Sequence, residues 1–328
     1  MNLSTKSISA VIVAIMLIIG AVGFWWGFEP DTFDVNDKAR AVAQQNNERV
    51  VTGYTTATAL ISVVDTMLNK SGGYLSNDVM PPGVLMDNIP SWEFGVLEMS
   101  RDLALAMRQD LSRSQSQSLE NPQLIKVQTS LSIDSQRWML PSSEGEYEKA
   151  LKELRIYRSE LSRLSETNSQ FYARADNLRD YLKQVEKRLG SLSQRLSASV
   201  GTESFNTELA GDAAARQSTP QSQRIITKTS WFQLDNNFYQ ARGASWALLH
   251  FLKAIEVDFE DVLRKKNATV SLQQIIRELE GTQDPVYSPV ILNGDGFGFL
   301  ANHSLVMANY VSRANAALIE LTELLNQG

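Results

Sequence analysis

FYARADNLRDYLKQVEKRLGSLSQRL (171–196) decides the fold class. Its apolar and small positions Phe171, Ala175, Leu178, Leu182, Val185, Leu189, Leu192 and Leu196 step by 4, 3, 4, 3, 4, 3 and 4 residues. Such steps keep every one of them on a single helix face, and they persist over more than three heptads. A strand would instead need alternation by two. Upstream, Tyr147, Leu151, Leu154, Leu161 and Leu164 form a second stripe, opened by Pro141, Ser142 and Ser143 with Glu144 and Glu146 behind them. Only Ser165–Asn168 separates the two stripes, which predicts a long antiparallel helical hairpin over 141–199. The seam Leu178, Leu182, Val185, Leu189, Leu192 and Leu196 then either packs on 143–165 or offers a coiled-coil face to a protein partner or a second copy.

The same periodicity extends in both directions. Downstream, Phe238, Ala241, Ser245, Leu248, Leu252, Ile255, Phe259 and Val262 repeat at steps of 3 and 4, and Trp246, Leu249 and Phe251 widen the face. This is the pattern of a central helix. Short and long helices are expected at 270–281 and from about 303, the latter carrying Met307, Val311, Ala314, Leu318, Leu321 and Leu325. Upstream, the spacing predicts one helix over 35–69, ended by Gly72 and Gly73, and another from Ser91 through Ala106. The stretch 123–140 alternates weakly and reads as a short strand or irregular chain. The class is all-α, in five parts: a stub and anchor (1–28), a first helical part (29–140), the hairpin (141–199), a flexible linker (200–222) and a C-terminal helical part (223–328).

Ile8 to Phe28 has no charged residue. At ~1.5 Å per residue it reaches about 31 Å, enough for the hydrocarbon core of a bilayer. Trp25 and Trp26 stand at its far end, where indole rings favour the interface. Lys6 precedes the run, whereas Glu29, Asp31, Asp34 and Asp37 follow it, so charge asymmetry sends residues 29–328 across the membrane. In a bacterium this gives a single-pass inner-membrane protein with its N-terminus in the cytoplasm and its helical bundle in the periplasm. The lipid bilayer is a partner through residues 8–28. A cleaved signal peptide is the competing reading, with Ala21-Val22-Gly23 before the cut.

Composition narrows the chemistry. There are 328 residues, 31 Lys plus Arg against 37 Asp plus Glu, and a net charge of −6. An acidic chain is unsuited to general nucleic-acid binding. With no Cys and two His, thiol chemistry, disulfides and a three-His metal site within one chain are excluded. No cofactor or metal motif occurs, and no catalytic residue is assigned. The loop Asn293-Gly294-Asp295-Gly296-Phe297-Gly298-Phe299 is the most distinctive stretch. It reads as a tight turn whose two phenylalanines plug the core. Alternatively, with Asp295, Asn302, His303 and Arg313, it forms a ligand-binding site at a helix start. His250, set among leucines and Phe251, reads as a satisfied core histidine. Glu256, Asp258, Glu260 and Asp261 read as a solvated acidic face.

Several stretches together resemble one bacterial family, domain of unknown function 2333. They include TGYTTATALI (52–61), GGYLSNDVMPPGV (72–84), WEFGVLEMSRDLA (92–104), FYARADNLRDYL (171–182), RLGSLSQRLSASVG (188–201), ARGASWALLHFLKAIEVDF (241–259) and NGDGFGFLANHSLVMANYVSRANAA (293–317). The resemblance spans nearly the whole chain and is compatible with a proteobacterial inner-membrane source. It implies no activity and no functional residues. The expected function is a structural or protein-interaction module of the cell envelope. A periplasmic sensory or small-ligand domain is the alternative, and an envelope-acting enzyme using His303, Asp295 and Arg313 is a third.

Overall fold

The computed structural model describes residues 5–114, 118–163, 169–205, 224–288, 290–295 and 298–327. Helices account for most of them: α1 (Thr5–Trp26), α2 (Val35–Asn46), α3 (Tyr54–Asn69), α4 (Asn88–Ala106), α5 (Pro122–Leu131) and α6 (Ser143–Ser162). They continue with α7 (Ala175–Ser197), α8 (Trp231–Asp258), α9 (Glu260–Lys265), α10 (Thr269–Gly281) and α11 (His303–Asn326). Two short strands, β1 (Thr202–Phe205) and β2 (Arg224–Thr227), pair antiparallel with Thr202 opposite Thr227. They bracket residues 206–223, so most of the expected 200–222 linker lies outside the described residues.

Helix starts follow local chemistry. Asp34 accepts from Asp37 N at 2.8 Å, Asn121 from Leu124 N at 3.1 Å with Pro122 next, and Ser142 from Gly145 N at 3.3 Å. Each satisfies a backbone donor that the first turn leaves without a partner.

Two sequence expectations are corrected here. The single helix over 35–69 is two helices: Asn47 turns into the left-handed region (φ 52) and Gly53 does so again (φ 88). The apolar stripe runs on through the break because both halves are buried: Ala39 and Ala43 of α2 pack with Tyr54 at the start of α3, while the rest of α3 faces the main core. The stretch 123–140 holds helix α5, since Leu124, Val127 and Leu131 are buried on one 3–4 face. A ten-residue segment gives too few positions to separate periods of two and 3.6.

α8 is the central element. Every residue from Gln240 to Leu252 is buried, as expected of a helix enclosed on all sides. α4, α3, α10 and α11 surround it. The α7 seam is filled differently from the expected hairpin. α7 lies along α11, while α6 lies along α5 and α3. Arg179 reaches Asn326 at 3.2 Å, and a Cβ on Gly190 would lie 3.8 Å from Asn315, so α7 and α11 run antiparallel. α11 also carries a long apolar stripe, which completes the α7 seam better than the charged α6 does. All six seam residues are at most 3% exposed.

α1 stands apart in its solvation. No residue of Ile8–Trp26 is buried. Its last turns nevertheless rest on the body, where a Cβ on Gly23 would lie 3.3 Å from Pro82 and one on Gly72 would meet the Trp26 ring at 2.7 Å.

Candidate functional site

A cleft of about 330 Å³ opens where α8, the C-terminal end of α10 and the start of α11 meet. Phe238 and Arg242 come from α8, Thr282 and Asp284 from the connection after α10, and His303 and Tyr310 from α11.

Arg242 organises its wall. Nη1 donates to Thr282 O at 3.0 Å and Asp284 O at 2.8 Å, and Nη2 to Gln283 O at 3.2 Å. Nε donates to the Glu29 carboxylate, three residues past the end of α1. The planar guanidinium thus ties the chain leaving α1 to the C-terminal end of α10. Burial pushes the Glu29 carboxyl up, while Arg242 opposes the shift.

His303 was expected in a site, and it does line the cleft. Leu292 N donates to its Nδ1 at 3.1 Å, so the neutral ring carries its proton on Nε2. Burial lowers its pKa. The ring therefore presents a hydrogen-bond donor. Asn302 beside it is the α11 cap: its Oδ1 accepts from Leu305 N at 2.9 Å, and its Nδ2 donates to Gly294 O at 2.7 Å and Asn293 Oδ1 at 2.9 Å. Arg313 pairs with Glu278 at 2.7 Å and lies over the Tyr310 ring. Asp295 is exposed, and its carbonyl accepts from Gly298 N at 2.8 Å in a turn. The four expected residues therefore do not converge on one point. Phe299 is fully exposed, which corrects the expectation that it plugs the core; Phe297 lies outside the described residues.

A second constellation lies one step along α8. Phe33 N donates to His250 Nε2 at 3.1 Å, so Nδ1 carries the proton and donates to Trp246 O at 2.7 Å. The Phe33 ring stacks on the imidazole at 3.9 Å. Burial holds His250 down at about 4, and the ring is neutral at pH 7. His250 is thus a satisfied core histidine that also grips the segment leaving α1.

Two carboxylates, Glu93 buried and Asp258 partly so, hold other joints. Glu93 accepts from Leu75 N at 2.9 Å and Ser76 N at 2.8 Å and pairs with Lys70; both side chains are at most 2% exposed. Asp258 accepts from Thr56 N and Oγ1, each at 2.7 Å, at the start of α3. Burial outweighs these bonds and raises it to about 6. Asp258 is therefore a helix-end ligand, which corrects its place in a solvated acidic face. The sequence reading gave no site role to Arg242, Glu93 or Lys70. The available signal was a lone charge inside an otherwise apolar helical run, as in ARGASWALLHF (241–251). Among the described residues no three His, Asp or Glu side chains cluster as a metal site would require.

The chain matches, over residues 2–328, the family of domain of unknown function 2333, described as an uncharacterized protein conserved in bacteria, and it belongs to that family. No curated protein and no solved structure matches it significantly.

Proposed function

We propose that this family member is a bacterial envelope protein in which α1 stays in the inner membrane and holds a helical body against the bilayer surface as a structural or protein-interaction module. One observation carries the reading. Over Ile8–Trp26 α1 presents apolar side chains outward, with none of these residues buried, while its end is fastened to the body. An apolar helix of that length is stable in lipid, where its backbone is satisfied internally. The fastening is extensive: Trp26 on Gly72, Glu29 on Arg242 and Phe33 on His250. These three joints lie beyond Gly23 and tie the start of the body to its core; the contact of Gly23 with Pro82 is the one that α1 makes at that point. Anchoring also confines the body near other membrane proteins and raises its effective concentration for them.

Lys6 in the first turn of α1 and the acidic residues after the helix support a periplasmic body. The buried charges named above each hold two elements together, which supports a scaffold role. The cleft beside His303 supports a second reading, a small-ligand site, because its volume is at the low end for such sites. A pair of C-terminal fusions tests the placement. An alkaline phosphatase fusion should be active and a green fluorescent protein fusion dark. The reverse result would put the body in the cytoplasm. In-cell photocrosslinking from exposed positions on the body should capture the same envelope protein repeatedly from one face; a chain that captures none is not an interaction module.

A further inference from the structure

The connection between α3 and α4 contains an uncharged run, Val79-Met80-Pro81-Pro82-Gly83-Val84-Leu85-Met86, bracketed by Asp78 and Asp87. Its apolar side chains point away from the body: Met80 and Leu85 are each 73% exposed, and Val79 and Val84 are also exposed. Clustered apolar groups on one surface turn mark a contact surface. The position of the turn identifies what it contacts. Pro82 rests against Gly23 of α1. Gly23 precedes Trp26 by three residues, which is about 4–5 Å further along the apolar helix than the indole. When α1 spans a bilayer, a group beside Gly23 is level with acyl chains.

The backbone of the turn suits that level. Pro81 and Pro82 have no N–H to satisfy. Val84, Leu85 and Met86 donate to Met80 O, Pro82 O and Gly83 O at 3.1, 2.9 and 2.9 Å. Pairing within the protein lowers the cost of bringing backbone toward lipid, and these three donors are paired so. Gly83 is needed for the shape, since a Cβ there would lie 1.9 Å from Asp78 Oδ2.

We infer that residues 79–86 form a second membrane contact, dipping into the same leaflet as the C-terminal end of α1. A second contact adds to the joints at the end of α1 in setting the tilt of the body on the bilayer. The inference rests on the membrane-anchor reading of α1. The chain has no cysteine, so single thiols can be introduced cleanly. Met80→Cys, Leu85→Cys, Leu17→Cys in α1 and Val270→Cys, an exposed position at the start of α10, are each spin-labelled in the full chain. The proteins are placed in vesicles of phosphatidylethanolamine and phosphatidylglycerol, and collisions with oxygen and with a water-soluble nickel chelate are compared. Positions 80 and 85 should favour oxygen over the chelate, on the lipid side with position 17 though at shallower depth, while position 270 favours the chelate. If 80 and 85 behave like 270 while 17 remains lipid-like, the second contact is wrong and the anchor stands. If 17 itself favours the chelate, both readings fall.

Discussion

Gly95 of α4 and Gly243 of α8 meet where the two helices cross. A Cβ on Gly95 would lie 2.1 Å from Gln240 O, and one on Gly243 would lie 2.1 Å from Trp92 O. The two backbones touch without intervening side chains, and this contact seats α4 on the central helix. Trp92 and Trp246 flank it, with ring centroids 5.2 Å apart.

Gly95→Ala and Gly243→Ala should therefore each destabilise the body. Overpacking at a tight contact costs about 1–3 kcal/mol, and here the clash is with backbone that cannot rotate away. Gly190→Ala is the matched control, because a Cβ there makes an ordinary 3.8 Å contact in mid-helix. It should gain up to about 1 kcal/mol from helix propensity. Urea denaturation followed by circular dichroism separates the two classes; equal effects at all three sites would contradict the close crossing.

The α7–α11 pairing makes a separate prediction. Gly190→Cys with Asn315→Cys should be joined by a short bismaleimide within one chain, leaving the electrophoretic mobility of a monomer. Leu189→Ala should cost about 2–5 kcal/mol, as for other buried leucines. Crosslinks that form only between chains would mean that the seam is filled by a second copy.

His250 and Asp258 should give opposite pH dependences. His250 is held down at about 4 against an unfolded value near 6.5, so between those limits the unfolded chain binds the extra proton. Stability from this group is full above about 6.5 and falls as pH drops toward 4, by on the order of 3 kcal/mol. Asp258 is raised to about 6 from 3.8. The folded chain then binds the extra proton, and stability falls as pH rises from about 4 to 6 by a similar amount. Relative to the parent chain, His250→Gln should remove the loss as pH falls from about 6.5 to 4, and Asp258→Asn should remove the loss as pH rises from about 4 to 6. Denaturation midpoints measured from pH 4 to 7 give the two slopes; parallel curves for parent and variants would refute both assignments.

The helical class and the extents of α6, α10 and α11 were legible because each presents a sustained 3–4 stripe. What the sequence concealed was partner choice. Leu178 to Leu196 announce a seam, but the residues that fill it lie more than a hundred positions away in α11. Sequence proximity favoured α6, whose solvent face carries Glu148, Lys152 and Glu153. Breaks governed by one or two left-handed residues, such as Asn47 and Gly53, were similarly masked by an apolar stripe that continues on both sides. At the cleft, His303 was singled out because histidine is rare in this chain. Arg242 was not, because its partners are three main-chain carbonyls and a glutamate two hundred residues away. The first kind of partner leaves no trace in residue type.

Arg242→Lys should loosen the joint between α1 and the body although the charge is kept. One ammonium cannot reach Glu29 and the carbonyls of Thr282, Gln283 and Asp284 together. Arg242→Ala leaves Glu29 buried without its partner, a change worth about 3–5 kcal/mol in comparable pairs. Limited proteolysis of the membrane-bound chain should show faster cleavage between residues 27 and 34 in both variants. Unchanged cleavage would mean that the Glu29–Arg242 pair does not hold the joint.

The central claim is that α1 remains in the bilayer with the body fastened to it. Carbonate washing of membranes from the native bacterium, followed by N-terminal sequencing of the retained chain, tests this directly. The account predicts a washed-membrane protein that still carries residues 5–26. A chain released by the wash, or one that begins after Gly23, would contradict it.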